Sequence, residues 1–186
     1  MNIELRNISK SFKGKCVFDD FSAVLPEGKC TVVTGTSGIG KTTLIRLISN
    51  LAKPDTGTVI GNDVRFSLVF QENRLCERLT TLANLRLVCS DEKKIQNALS
   101  ALCAEETKNT QVCKLSGGQK RRIAIARALI AEYDVLCMDE PLTGLDADTK
   151  SRVIEYIKTQ IKGKTAVIAT HDNDAVLALS DCKIEL

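Results

Sequence analysis

Leu115-Ser116-Gly117-Gly118-Gln119 begins the most informative segment of this chain, and the segment ends with Val135-Leu136-Cys137-Met138-Asp139-Glu140. A basic, helix-like segment joins the two. Ser116 is a favourable N-cap residue, so we expect a helix over about 117–132. The apolar run 135–138 predicts a buried central strand that ends in two adjacent acids.

Strands and helices are predicted to alternate on both sides of this stretch, which implies a mostly parallel sheet in a three-layer α/β fold. The first strand, 3–8, alternates as an exposed edge strand does, and with 16–24 it predicts an N-terminal antiparallel β portion. Further strands are expected at 30–34, 58–60, 66–70, 165–170 and, as a last edge strand, 182–186. Further helices are expected at 41–51, 148–162 and 174–179.

The segment 72–114 differs in character from the rest of the chain. It is polar, lacks glycine and proline, and carries helical patches at 79–88 and 95–103. We therefore predict a single domain over 1–186, in which a core of 1–71 and 134–186 carries a small inserted α-helical lobe of about 72–133.

Size and composition suit a soluble globular domain. The chain has 186 residues, 44% of them apolar and 26% charged, with a net charge of +3. That charge is too small to argue for nucleic acid or a membrane surface. The apolar runs are too short for a membrane helix, and the start lacks a signal-peptide core, so we expect a cytoplasmic chain.

The eight cysteines show no metal-binding spacing. No two lie within four residues of each other, and the chain has one histidine. Zinc is therefore not expected, and the thiols are interpreted as reduced, small apolar groups, with Cys137 the clearest case.

The sequence Gly35-Thr36-Ser37-Gly38-Ile39-Gly40-Lys41-Thr42 fits the P-loop pattern between a strand and a helix. Its glycines let backbone N–H groups surround a phosphate, and the following helix adds a positive end. Lys41 would bridge the β- and γ-phosphates, the Thr42 hydroxyl would ligate Mg²⁺, and Thr43 can reach the α-phosphate. A P-loop NTPase core follows, although this motif alone does not separate kinases, GTPases and transport ATPases.

Four polar residues at three predicted strand ends complete a candidate site. Asp139 can hold Mg²⁺ through water, and Glu140 can polarise an attacking water, whereas a solvated loop acid is the plainer interpretation of Glu140. Gln71 can ligate Mg²⁺, or be an ordinary surface residue. His171 lies at the strand edge where α/β sheets bind ligands and can contact the γ-phosphate, although a lone histidine is more often structural.

Together these elements resemble the nucleotide-binding domain of ATP-binding cassette (ABC) proteins over nearly the whole chain. In chain order the matching elements are the P-loop, Gln71, the pentapeptide 115–119, the strand with its two acids, Leu145-Asp146 and His171. The resemblance implies a Mg²⁺-dependent ATPase with Glu140 as general base, Lys41 stabilising phosphoryl charge and His171 sensing the γ-phosphate. It also implies that Phe12 stacks on adenine, although Phe12 could equally belong to the core.

The resemblance further implies partners. In the family the pentapeptide, here Ser116, Gly117, Gly118 and Gln119 after Leu115, clamps ATP held by another protomer, which implies a head-to-tail homodimer or a heterodimer with a second cassette. Gln71 would relay site occupancy to the lobe, and the lobe would dock membrane permease subunits at the inner face of the cell membrane. A solute-binding protein in the same system is possible, and nucleic acid is not an expected partner.

This chain departs from the family pattern in two ways, and both reduce the surface available to partners rather than change the ATP site. The chain ends fifteen residues after His171, so no regulatory C-terminal domain is expected. The spacing from Gln71 to Ser116 is also short, which predicts a trimmed lobe.

Three functions compete at this stage. The leading one is a transport ATPase subunit, and Gln71–Leu75 with Leu79–Leu85 resembles the nitrate, sulfonate and taurine importer branch, which favours small-solute import over a lipoprotein or peptide exporter. A soluble ABC ATPase acting on DNA, ribosomes or iron–sulfur assembly is the second, and the iron–sulfur role is the hardest of these to exclude. A non-hydrolysing cassette is the third, and Glu140 and His171 argue against it.

Overall fold

The computed structural model describes residues 2–186. Within them the strands are β1 (Ile3–Phe12), β2 (Lys15–Leu25), β3 (Cys30–Thr34), β4 (Thr56–Ile60), β5 (Phe66–Val69), β6 (Val135–Asp139), β7 (Thr165–Ala169) and β8 (Cys182–Glu185). The α-helices are α1 (Lys41–Ile48), α2 (Thr81–Arg86), α3 (Glu92–Ala101), α4 (Gly117–Ile130), α5 (Ala147–Ile161) and α6 (Asn173–Leu179). Short 3₁₀ turns cover Glu105–Thr107 and Val112–Lys114.

The strands form two sheets. The larger is parallel with strand order β5-β6-β7-β3-β8, and the smaller is antiparallel with order β2-β1-β4. The α/β class, the mostly parallel sheet and the N-terminal antiparallel portion are thus confirmed. β8 is an edge strand, as predicted.

The first strand is central in its sheet, so the prediction of an edge strand was wrong. β1 pairs with β2 on one side and with β4 on the other. Asn7, at φ 50, lies where the register shifts between Leu5 and Ile8, and both of those residues are buried. Alternation of apolar and polar residues shows only that one face of the strand packs on the core and the other faces solvent. Edge strands and central strands share this pattern.

The helix after the P-loop is shorter than predicted. It ends at Ile48 rather than at Leu51. Asn50 adopts a left-handed φ of 59, and the N–H groups of Leu51 and Ala52 turn back to the carbonyl of Arg46. Leu51 keeps the apolar spacing of a helix although the backbone has already left the helical conformation, so the apolar pattern predicted too long a helix.

The parallel sheet separates two apolar clusters. One lies between this sheet, α1 and the antiparallel sheet, and the other lies between the opposite face and helices α3, α4, α5 and α6. Consecutive residues of one strand belong to different clusters, for example Val32 and Val33, or Cys137 and Met138. The parallel sheet therefore forms the middle of three layers.

Helix α4 connects the sheet with the helices of the inserted segment. Ile123, Leu129, Leu85 and Leu99 share one apolar cluster with strand residues such as Leu136. No helix within residues 2–186 combines the length and the apolar character needed to cross a bilayer. The lobe bounds of about 72–133 stay a proposal.

The cysteines form no disulfides in the described part of the chain. Cys30 and Cys137 are buried, as an apolar role requires, and burial raises the pKa of each thiol to about 12. Cys16, Cys76 and Cys113 are exposed, so they do not fit the interpretation as small apolar groups.

Candidate active site

The candidate site lies where four parallel strands end at one edge of the sheet. The P-loop follows β3, Asp139 ends β6, His171 follows β7 and Gln71 follows β5. Because β5, β6, β7 and β3 are neighbours in that order, their carboxyl ends bring these residues to one cavity of about 700 Å³. The cavity is lined by Gly35, Thr36, Ser37, Gly38, Gly40, Lys41, Thr42, Thr43, Gln71, Asp139, Glu140, Thr143 and His171.

The P-loop presents helix α1 to the cavity with an uncapped start. Gly40 precedes the helix at φ 128 and offers no side chain to cap it. A Cβ on Gly40 would lie 2.8 Å from Cγ1 of Val17, so the close approach of β2 requires glycine here. The first-turn N–H groups of α1 therefore remain available for an anion.

Lys41 is held inside the loop that it follows. Its Nζ donates to the carbonyls of Gly35 at 2.8 Å and Thr36 at 3.2 Å, and lies 3.6 Å from Oε1 of Glu140. The side chain is buried, so its charge faces the cavity in a weakly screened environment. A phosphate chain laid along the loop would meet this ammonium.

Thr42 and Asp139 form the polar pair predicted for Mg²⁺. The Thr42 hydroxyl donates to Oδ2 of Asp139 over 2.6 Å. Oδ1 of Asp139 is buried and has no hydrogen-bond partner among residues 2–186. Burial raises the pKa of Asp139, opposed mainly by the Thr42 hydrogen bond. An orphaned carboxylate oxygen beside a hydroxyl, with Gln71 on the same cavity, fits a hard cation with oxygen ligands.

Glu140 is fixed at both its backbone and its side chain. It has a left-handed φ of 48, and its N–H donates to the carbonyl of Ala169 at 2.8 Å. Its Oε1 lies 2.9 Å from Nδ1 of His171, whose side chain is 73% exposed. These contacts contradict the plainer interpretation of Glu140 as a solvated loop acid.

Not every predicted site residue lines this cavity. Ile39 and Phe12 do not, and Phe12 is 45% exposed at the end of β1, with Nζ of Lys10 at 5.2 Å from its ring centroid. The sequence analysis missed Thr143, which lines the cavity two residues after Pro141. Its position after the strand-end acids was the available signal.

The pentapeptide caps α4 outside this cavity. Ser116 Oγ accepts from the N–H of Gln119 at 3.2 Å, and Oε1 of Gln119 accepts from the N–H of Ser116 at 2.9 Å. This capping box confirms Ser116 as the N-cap. A Cβ on Gly117 would meet open space, and one on Gly118 would lie 3.4 Å from the carbonyl oxygen of Gly144.

A phosphate-binding loop, a buried acid beside a hydroxyl and a positioned glutamate define a P-loop nucleotide hydrolase. The ABC transporter family model matches residues 18–143. The aliphatic sulfonates import ATP-binding protein SsuB 1 of Shouchella clausii is 37% identical over 97% of this chain and 75% of its own length. The Fe(3+) ions import ATP-binding protein FbpC 1 of Pectobacterium atrosepticum is 33% identical over 96% of this chain, which spans only 56% of that relative.

Solved structures agree with these relatives. The dimeric structure of MJ0796, a bacterial ABC transporter cassette, matches with a TM-score of 0.88 and 29% identity over 99% of this chain and 94% of that one. A post-hydrolysis MJ0796 dimer bound to ADP and Pi matches with a TM-score of 0.87 and 30% identity over 99% and 94%. The chain belongs to the ABC transporter family and is an ATPase of that family.

Proposed function

We propose that this chain is the Mg²⁺-dependent ATPase subunit of a small-solute importer and that it works with separate membrane subunits. The observation that carries the catalytic part is the position of Glu140, held between His171 and Lys41 at the mouth of the P-loop cavity. A carboxylate so placed can take a proton from water that attacks a phosphate bound by the loop.

Phosphate binding falls to the loop and to Lys41. The uncapped N–H groups of α1 and the glycine-rich backbone surround the β-phosphate. Lys41 exchanges its carbonyl contacts with Gly35 and Thr36 for phosphate oxygens, and Thr43 faces the α-phosphate from the next position. Phe12 stacks on adenine beside the cavity.

Three side chains would hold Mg²⁺. They are the Thr42 hydroxyl, the Asp139 carboxylate and the Gln71 amide, all of which line the same cavity. The bound ion would supply positive charge next to the phosphoryl oxygens. The Thr42 hydroxyl can keep its hydrogen bond to Oδ2 of Asp139 while its oxygen faces the ion, and Oδ1 of Asp139 lacks a protein partner within residues 2–186.

Glu140 and His171 complete the proton chemistry. Glu140 orients and deprotonates the water, and Lys41 stabilises the charge that develops on the phosphoryl oxygens. His171 binds Glu140 through Nδ1, while the ring is largely exposed toward the cavity mouth. Its other ring nitrogen can therefore contact the γ-phosphate.

Completion of the site requires a second chain. Ser116, Gly117, Gly118 and Gln119 do not line the cavity of their own chain, although a helix start with small residues suits an anion. We assign them to the ATP of a facing protomer, in a head-to-tail homodimer or in a heterodimer with a second cassette. The dimeric form of MJ0796 supports this assignment.

Small-solute import is supported by the relatives. The names of the sulfonate, iron and polyamine proteins all specify import, which does not favour the soluble iron–sulfur alternative. Among them the sulfonate proteins reach 37% identity, in accord with the segment Gln71–Leu75. Such a subunit sits on the cytoplasmic face of the membrane, with its lobe against a permease and with a solute-binding protein in the same system.

The proposal is tested in two steps with the native protein. Mg²⁺-dependent release of phosphate from ATP by the purified chain tests catalysis, and its absence under all nucleotide and metal conditions would overturn the enzymatic part. Co-purification from native membranes tests the transport part. Recovery of a permease is expected, whereas recovery of soluble iron–sulfur assembly proteins in its place would support the alternative.

A further inference from the structure

Arg121, on the second turn of α4, is buried beneath the candidate site. It is 3% exposed. All three guanidinium nitrogens donate to oxygens at the end of β6 and in the loops that follow β5 and β6. Nε donates to the carbonyl of Pro141 at 3.1 Å, and Nη2 donates to the carbonyls of Asp139 at 3.0 Å and Glu140 at a shorter distance. The guanidinium therefore holds three consecutive peptide groups at the end of β6.

The same guanidinium also reaches the loop that carries Gln71. Nη1 donates to the carbonyl of Phe70 at 2.5 Å, and to the carbonyl of Gln71 and Oδ1 of Asn73, both at 3.3 Å. One side chain thus joins the loop after β5 to the loop after β6. The planar fork of arginine suits this task, because its donors point outward in fixed directions.

The backbone at Glu140 needs such support. Glutamate at φ 48 occupies a left-handed backbone conformation that residues other than glycine rarely adopt and that costs free energy. Its N–H is held by the carbonyl of Ala169, and its carbonyl is held by Arg121. The two bonds fix the peptide groups on both sides of the strained residue and so aim its carboxylate at His171.

Burial of Arg121 has an electrostatic consequence as well. Burial lowers the pKa of the guanidinium, whereas the charges of Asp139 and Glu140 oppose that change. A buried cation behind two carboxylates partly offsets their mutual repulsion. Removing it would leave several buried carbonyl oxygens without a donor.

We propose that Arg121 is a positioning residue for ATP hydrolysis. It ties the backbone of Glu140 and the Gln71 loop to α4, the helix that Ser116 caps. Because α4 is a rigid helix, a shift at its capped start moves Arg121 and, through it, the backbone of Glu140. Docking of the pentapeptide on a partner's ATP is thereby linked to the aim of the general base in the same chain. This inference rests on the proposed function.

The test separates positioning from general stabilisation. In Arg121→Gln we expect kcat for ATP to fall about 10–100-fold while KM stays within about twofold, because the P-loop is untouched and the base is misaligned. Arg121→Lys keeps the buried charge but not the planar fork, so it should recover only part of the loss. It also keeps the proposal testable if the Gln variant does not fold, as judged by circular dichroism and melting.

Arg127→Gln is the matched control. Arg127 lies six residues further along α4 and is half-buried. It donates to the carbonyl of Arg74 at 2.8 Å, in the loop after β5, and among residues 2–186 it makes no hydrogen bond to the peptide groups 139–141 at the end of β6. Its burial also lowers the pKa of its guanidinium. The control should keep kcat within about twofold of wild type. An equal loss of kcat in Arg127→Gln and Arg121→Gln would overturn the proposal.

A double-mutant cycle supplies the decisive readout. Since Arg121 acts through Glu140, adding Arg121→Gln to Glu140→Gln should slow single-turnover hydrolysis by less than about twofold. Multiplicative losses, or wild-type kcat in a folded Arg121 variant, would overturn the inference. If wild-type protein hydrolyses Mg-ATP and the Arg121 variants do so equally well, only this inference fails; if wild type is inactive, the proposed function itself fails.

Discussion

The Thr42 hydroxyl donates a 2.6 Å hydrogen bond to the Asp139 carboxylate, which lies 97 residues further along the chain. The contact joins α1, the helix that follows the P-loop, to the end of the central strand β6. It leaves the other oxygen of Asp139 buried without a partner among residues 2–186. A buried carboxylate oxygen without a partner costs stability, and under the proposed function this oxygen would face the cation.

Asp139→Asn should stabilise the nucleotide-free protein while it abolishes hydrolysis. Burial raises the pKa of Asp139, so over the pH range between the unfolded and folded pKa values the folded state binds more protons and stability falls as pH rises. At neutral pH the buried carboxylate is destabilising, and asparagine still accepts from Thr42. We expect Tm in EDTA to rise by about 2 °C or more, with Mg²⁺-dependent turnover lost.

Melting curves of both proteins from pH 4 to pH 8 check this sign. The advantage of Asp139→Asn should grow as pH rises and shrink in acid. A lower Tm for the variant at neutral pH would contradict the assignment of Asp139 as a destabilising, cation-binding acid.

Glu140→Gln should abolish turnover and preserve ATP binding. The amide cannot accept the proton of water, so kcat should fall on the order of 10²–10⁴-fold, while the P-loop contacts remain. ATP then persists between protomers, and dimers should accumulate in light scattering after size exclusion. Unchanged hydrolysis would remove Glu140 from its role. Glu155→Gln, an exposed change on α5, serves as the control.

Lys41→Ala should weaken ATP binding itself. The change removes a buried ammonium that faces the phosphate path, and charged hydrogen bonds are worth about 1.5–3 kcal/mol, or roughly 10–100-fold in Kd. Calorimetric titration with ATP measures the effect. Lys162→Ala, at the exposed end of α5, should bind ATP as wild type does.

Mixing two inactive variants tests whether Ser116 serves the other protomer. Ser116→Arg disrupts the helix start but leaves its own P-loop intact, whereas Lys41→Ala has the opposite defect. In a head-to-tail homodimer the mixed pair contains one complete site, so hydrolysis should partly return on mixing. No recovery, although the two chains are shown to associate, would place Ser116 and the P-loop of one chain at the same ATP.

Thiol reactivity should follow burial. Burial raises the pKa of Cys30 and Cys137 to about 12, so at pH 8 both are protonated as well as inaccessible. Native protein should therefore react quickly with Ellman's reagent at Cys16, Cys76 and Cys113, and the buried pair should react only after unfolding. Rapid labelling of Cys137 in the native state, mapped by mass spectrometry, would contradict the buried strand β6.

Local chemistry made much of the site predictable. The P-loop glycines, the Ser116 N-cap and the acids after the apolar run 135–138 act within a few residues, so their spacing predicts their geometry. The place of β1 was not predictable in this way. Alternation of apolar and polar residues shows that β1 has one buried face. Its central place in the sheet depends on pairing with β4, whose residues lie 44 to 57 positions further along the chain.

The phosphate loop, the helix cap and the order of the family elements along the chain follow from the sequence alone, because neighbouring residues specify them. Two contacts follow only from the folded chain: Glu140 meets His171, and Arg121 reaches the carbonyls of Asp139 and Phe70, which are 18 and 51 residues away. Backbone carbonyls carry no side-chain signature, so sequence cannot show which of them a buried arginine will hold. Packing of α4 against the ends of β5 and β6 makes that choice.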